Sequence, residues 1–173
     1  MPGFNLKSAG FDQDSQPYHH DGLDHKHWYA NDFFEFSGNY HNAYPHKFHE
    51  RIGVYFEGMV YNLNPEKEFE AIAKLLDDYR FDEVIEAMQD WDGEYVFMHR
   101  DQGSKSIYIV NDAWGRLPVY YWQFKNKFIV TRNISCITHY ANPTYSKLNL
   151  GLNLLLGTDL GTNTIWKKVL RLP

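Results

Sequence analysis

Between Trp91 and Tyr121 the chain reads WDGEYVFMHRDQGSKSIYIVNDAWGRLPVYY, a series of short apolar runs broken by Gly, Asp and Asn. Runs rich in Tyr, Val, Ile and Phe with such breaks predict strands joined by turns. The expected elements are Glu94–His99, a turn at Gln102–Gly103, then Ser106–Asn111 and Leu117–Trp122, arranged as a β-meander. In the middle run Ile107 and Ile109 alternate with Tyr108 and Val110, so both faces are apolar and both are expected to be buried. A sheet covered on both sides requires further layers, which argues against a simple barrel.

Elsewhere the period changes. Val54–Phe56 reads as a strand, and Val60-Tyr61-Asn62 follows an expected turn at Gly58. Asn64 is a natural N-cap, with Pro65 at the first helical position and Glu66 and Glu68 in the first turn. Phe69, Ile72, Ala73, Leu75 and Leu76 then form a stripe near helical period, which predicts a core-facing helix. A second helix is expected over Arg80–Asp90, capped by Asp82, with Val84, Ile85 and Met88 inward. Further on, Lys127–Arg132 predicts a strand after a turn at Asn126. Asn133–Tyr140 predicts a short helix, Asn142-Pro143 a break, and Leu148–Leu156 an apolar helix ending near Gly157. Residues 8–50 carry no clear period; Trp28–Phe36 is aromatic enough for a strand or a packed loop.

The 173 residues suit one domain, spanning 1–173, with enough chain for a real core. A net charge of −5 offers no general attraction to nucleic acid or to an anionic membrane. No apolar run approaches a membrane span, and no signal peptide opens the chain. Cys136 is the single cysteine, so no internal disulfide can form, and a cytoplasmic setting is the default expectation. Asn133-Ile-Ser135 matches a glycosylation sequon, idle without secretion. Seven of the nine histidines fall in residues 8–50. Among them His20, His25 and His27, beside Asp21 and Asp24, are candidates for a transition metal. Their spacing fits no motif with a named geometry, and a polar surface loop is the plainer reading.

Asp92-Gly93-x-x-x-Phe97, Asp101, and then Asp112-x-x-Gly115-Arg116-x-Pro118-x-Tyr120-Tyr121 form a longer pattern. It resembles the run LDGMFAF-x-x-x-D followed by RDRFGIKPLYY in the glutaminase domain of asparagine synthetase, a class II glutamine amidotransferase. The strand Phe128–Arg132 with Asn133, and the closing Thr164–Pro173, are similar to later segments of that domain. The resemblance runs from about Arg51 onward. It implies the N-terminal nucleophile hydrolase fold: α+β, a four-layer αββα sandwich with two antiparallel sheets facing each other between helices. It also implies the first domain of a longer protein, whose next domain would be an ATP-dependent, amide-forming synthetase. ATP and Mg would belong to that domain; this one has no Walker or SGGxDS-type loop, and no cofactor is expected in it.

The residues that depart from the family pattern bear on function. The family nucleophile is a cysteine at the first mature position; here it is Pro2, which carries no nucleophile. The family's FNGEIYN uses its Asn and the Gly backbone N–H as an oxyanion hole, and its Glu to hold the substrate amino group. Here those positions are Glu57, Gly58 and Met59. A carboxylate repels a developing oxyanion, and losing one such donor costs roughly 3–4 kcal/mol of transition-state stabilisation. Asp92 matches the aspartate that orients the substrate glutamine, although Asp-Gly equally favours a tight turn. The pocket implied by the resemblance can still hold a glutamine-like ligand, with Asp92 and Glu57 at its rim. Asp112, Gly115, Arg116 and Pro118 read as turn architecture.

The leading expectation is a catalytically degenerate glutaminase-like domain that serves as a scaffold or docking module for an asparagine-synthetase-like partner domain, attached or separate. The alternatives are a working glutaminase supplying ammonia for asparagine-type amide synthesis, and a His-rich metal-binding or interaction module.

Overall fold

The computed structural model of the protein describes residues 3–11, 18, 22–41, 45–49, 53–64, 69–70, 72–74, 81–101, 103, 106–159 and 161–173. They form an α+β structure with two antiparallel sheets, of six and four strands, and few helices. No helix among the described residues is long and apolar enough to cross a membrane. The chain divides into two compact units, one of residues 1–43 with 118–173 and one of residues 44–117.

The second unit holds the four-stranded sheet. Strands β4 (His46–His49), β5 (Val54–Val60), β6 (Gly93–Asp101) and β7 (Ser106–Asn111) stand side by side in that order. Because side chains alternate along a strand, Val54, Phe56 and Val60 share a face with their β6 neighbours Tyr95 and Phe97. Ile72, from the helical residues 69–70 and 72–74, and Val84 and Met88, from helix α1 (Phe81–Met88), pack on that face and complete a core. The inward positions expected for α1 are the ones used: Val84 and Met88 are buried and Ile85 packs beside them. Asp82 lies inside the first turn and not at the cap. Pro65, Glu66, Glu68, Leu75 and Leu76 of the expected first helix fall outside the described residues.

Two expectations for this unit are corrected. Gly58 is not a turn: it lies within β5, where it pairs with Tyr95. The strand continues because Gly58 alone tolerates the local φ of +104°, and a side chain there would meet the Glu94 carbonyl oxygen. The meander also stops after two strands. β7 has the expected bounds, but it is an edge strand with no buried residue, and Tyr108 is exposed. The third strand forms later than expected, as β8 (Tyr120–Phe124), and belongs to the other sheet. The local cause is the turn after β7. Asp112 Oδ1 accepts from the Trp114 N–H at 3.0 Å, Oδ2 accepts from the Arg116 N–H at 3.1 Å, and Gly115 adopts φ +58°. Pro118, with no N–H to donate, cannot extend the ladder.

The first unit holds the six-stranded sheet, in the order β10 (Val169–Arg171), β8, β9 (Lys127–Thr131), β1 (Gly3–Ser8), β3 (Phe34–Tyr40) and β2 (Asp24–Ala30). Among the described residues of the segment without clear period, most are thus in strands. β2 and β3 form a hairpin whose tip is set by Asn31: its Oδ1 accepts from the N–H groups of Phe33 and Phe34 at 2.8 and 2.9 Å. Gly38 on β3 leaves room for the ring of Trp28, which packs against Phe36 and Tyr40. Helix α2 (Ile134–Ala141) is capped by Asn133, whose side chain accepts from the Ser135 N–H. It buries Cys136 and Ile137 against Ile129 and Val169. Helix α3 (Lys147–Leu156) runs from the Ser146 cap to Gly157 and buries no residue.

Candidate functional site

Of the residues singled out by sequence, Glu57, Gly58, Met59 and Asp92 come together in the second unit, around the end of β5 and the start of β6. Pro2 and His20 lie outside the described residues.

Glu57 sits in mid-strand, opposite His46 on β4 and Val96 on β6. Its exposure is 0%, so it is neither an exposed turn residue nor at a solvent-facing rim. Tyr55, two residues earlier and therefore on the same face, donates its hydroxyl proton to Glu57 Oε2 at 2.6 Å. A buried carboxylate without such a donor would carry a large desolvation cost. Held in the strand interior and bonded by Tyr55, the Glu57 side chain is not presented to a ligand in solvent. Met59, further along this face, is half-exposed and apolar.

Just beyond β5 the chain turns, and the turn is tied to the start of β6. The Tyr61 N–H donates to the Asp92 carbonyl at 2.6 Å. The Asn62 side chain bridges the two segments, with Nδ2 donating to the Asp90 carbonyl at 2.8 Å and Oδ1 accepting from the Asp92 N–H at 3.0 Å. The Asp92 carboxylate itself is left largely in solvent, 3.9 Å from Arg116 Nη1. Arg116 Nη1 also donates to the Gly93 carbonyl at 3.3 Å. Arg116 is therefore more than turn architecture: its backbone closes the Asp112 turn while its side chain reaches the Asp92–Gly93 corner.

Tyr61, Asp92, Glu94 and Arg116 make up a small polar group. Desolvation and the nearby Glu94 carboxylate push the Tyr61 phenol above its ordinary value, with Arg116 opposing and Asp92 adding to the rise. Sequence reasoning missed Tyr61 and Glu94 because each is an unremarkable strand-end residue. The available signal was their antiparallel placement, with Met59 opposite Glu94. Two carboxylates beside one guanidinium and a phenol can orient a small ammonium-bearing or zwitterionic molecule. There is no thiol among them.

The one thiol is no substitute. Cys136 is fully buried in α2 of the first unit, and burial pushes its thiol up to about 12, with Lys7 and Thr131 opposing. The thiolate needed for attack is therefore suppressed. His25 and His27 lie two apart on β2, and His25 Nδ1 is 3.4 Å from Asn39 Oδ1. Among the described residues no group of three or more His, Cys, Asp or Glu is placed to hold a metal ion.

Compared with known proteins, the sequence matches no family model and no curated protein.

Proposed function

We propose that this chain is a glutaminase-like domain of the class II amidotransferase type that does not hydrolyse glutamine. It acts as a scaffold or docking module for an ATP-dependent, amide-forming domain of the asparagine-synthetase kind, attached or separate, in the cytoplasm. On this reading the two antiparallel sheets are the inner layers of an αββα sandwich of the N-terminal nucleophile hydrolase type. ATP and Mg serve the partner domain only. A glutamine-like molecule is the small ligand that the polar group around Asp92 would favour.

The observation that carries the reading is Glu57. Where the family pattern has an amide donor, this chain has a carboxylate in a strand interior, bonded by Tyr55 at 2.6 Å. A group held this way works in the architecture of the sheet and is closed to oxyanion stabilisation. Pro2 removes the nucleophile independently.

The test is glutamate release from glutamine by the purified chain, alongside Pro2→Cys and the double variant Pro2→Cys with Glu57→Asn. The natural chain is expected to stay at the enzyme-free blank, and any recovered activity should appear only in the double variant. Glutamate release by the natural chain sinks the reading. The docking role is tested by the yield of amide that a synthetase domain makes from free ammonia, which should rise when the chain is added.

A further inference from the structure

Helix α3 has its polarity reversed. Its two amides, Asn149 and Asn153, are four residues apart and so lie on one face. That face is turned to the protein: Asn149 Nδ2 donates to the Thr164 carbonyl at 2.8 Å, and Asn153 Nδ2 donates to Asp159 Oδ1 at 2.9 Å. Three of its six leucines point the other way. Leu148, Leu154 and Leu155 are 72%, 78% and 79% exposed. At about 100° per residue, Gly151 lies opposite the two asparagines and at the centre of this outward face. Apart from the helix's own neighbouring backbone, no atom lies within 4 Å of where its side chain would begin. A ten-residue helix fastened by its polar side and presenting leucine to water is a surface built to be covered.

We propose that α3 is the contact face of a homodimer, in which two copies cross antiparallel about a two-fold axis through Gly151. Two features single out a second copy. The first is the symmetry of the face. A two-fold interface must be self-complementary, and pairing about Gly151 sets Leu148 against Leu154 of the second copy, with Lys147 against Leu155. The glycine, bare on its outer side, lets the two backbones approach closely. The second feature is charge. α3 begins with Lys147, has no acidic residue in its first turn and no basic residue in its last. A cation at the N-terminus has the wrong sign for the helix's own dipole. In an antiparallel pair each Lys147 instead reaches the carbonyl-rich C-terminal end of the other helix, supplying the cation that end lacks. The rest of α3 carries no charge, so like charges do not meet across the axis.

The test is sedimentation equilibrium of the full 173-residue chain from micromolar to millimolar concentration, with the variants Leu148→Glu and Leu154→Lys. The natural chain should show a concentration-dependent species of twice the 20.5 kDa chain mass. Each substitution alone should raise the dimer dissociation constant about tenfold or more, since a charge then faces leucine in a buried centre. Mixing the two variants should restore association, because the new acid and the new base face each other in the mixed pair. Such rescue also shows that both variants fold. A monomer at every concentration, a dimer indifferent to both substitutions, or no rescue on mixing overturns the proposal.

Discussion

Tyr55 and Glu57 form a buried pair two residues apart on one strand, the phenol donating to the carboxylate at 2.6 Å. Both residues are fully buried. Removing the hydroxyl with Tyr55→Phe takes a donor from a buried acceptor that is otherwise costly to hold. Removing one partner of a buried hydrogen bond costs about 1–3 kcal/mol, and a loss of that size is expected in urea unfolding. Glu57→Gln should cost less, because its amide oxygen can still accept from Tyr55.

Gly58 and Gly151 should respond in opposite directions to the same substitution. At Gly58 the backbone has φ +104°, and an added methyl group meets the Glu94 carbonyl oxygen and comes within 2.9 Å of Leu117 Cδ1 and Tyr95 Cα. Gly58→Ala should lower the unfolding free energy by on the order of 3 kcal/mol, through left-handed strain plus displacement of β6. Gly151 lies in a helix interior with open space around it. There alanine should stabilise the monomer by about 0.5–1 kcal/mol. Thermal melts of the two variants at low protein concentration check both signs.

His99 should make stability fall in mild acid. Its ring is buried, lies 5.8 Å from Phe81 and 6.4 Å from Tyr108 in stacked orientation, and its Nδ1 has no hydrogen-bond partner among the described residues. Burial holds the imidazole below its ordinary value, with Asp101 opposing and Arg100 reinforcing that shift. The folded state thus keeps a neutral ring where the unfolded chain takes up a proton. The stabilisation is complete above the unfolded value of about 6.5 and is lost as pH falls from there toward the folded value. Denaturation across about pH 5 to 8 should show His99→Phe losing this component of the slope, at most ~1.4 kcal/mol per pH unit.

Cys136 should be silent to thiol reagents in the folded protein. It is fully buried, and its thiol is pushed up to about 12. An Ellman titration is expected to give no reaction under native conditions and one thiol per chain in denaturant. Rapid native labelling would contradict this burial.

The legible parts of the fold are those governed by neighbours in sequence. β7 keeps its expected bounds because Ser106–Asn111 is flanked by turn residues. α2 starts at its Asn133 cap and α3 stops at Gly157, both local signals. Val84 and Met88 of α1 follow from helical period alone.

The parts that escaped depend on distant partners. Gly3–Ser8 (GFNLKS) has no marked alternation, yet it becomes a central strand because β3 and β9 flank it. Tyr120–Phe124 looks like the continuation of a meander, and its place beside β9 and β10 is set by pairing with residues 127–131 and 169–171. Glu57 went unrecognised as an interior residue because carboxylates are rarely buried unpaired. Its donor, Tyr55, reads as an ordinary apolar strand residue. The corner of Tyr61, Asn62, Asp92 and Arg116 joins three stretches of chain, and no spacing rule brings them together.

The position of β1 has a consequence for the order of events on the ribosome. β1 precedes the other strands in the chain, and its β3 side can be satisfied as soon as residue 40 has emerged. Its other side must wait for residues 129–131, with all of residues 44–117 translated in between. That intervening unit carries its own core and can settle while the nascent N-terminal hairpin still shows an open backbone rim. Pauses before residues 129–131 have emerged from the ribosome would therefore prolong the life of a sticky intermediate, and pauses after their emergence would not.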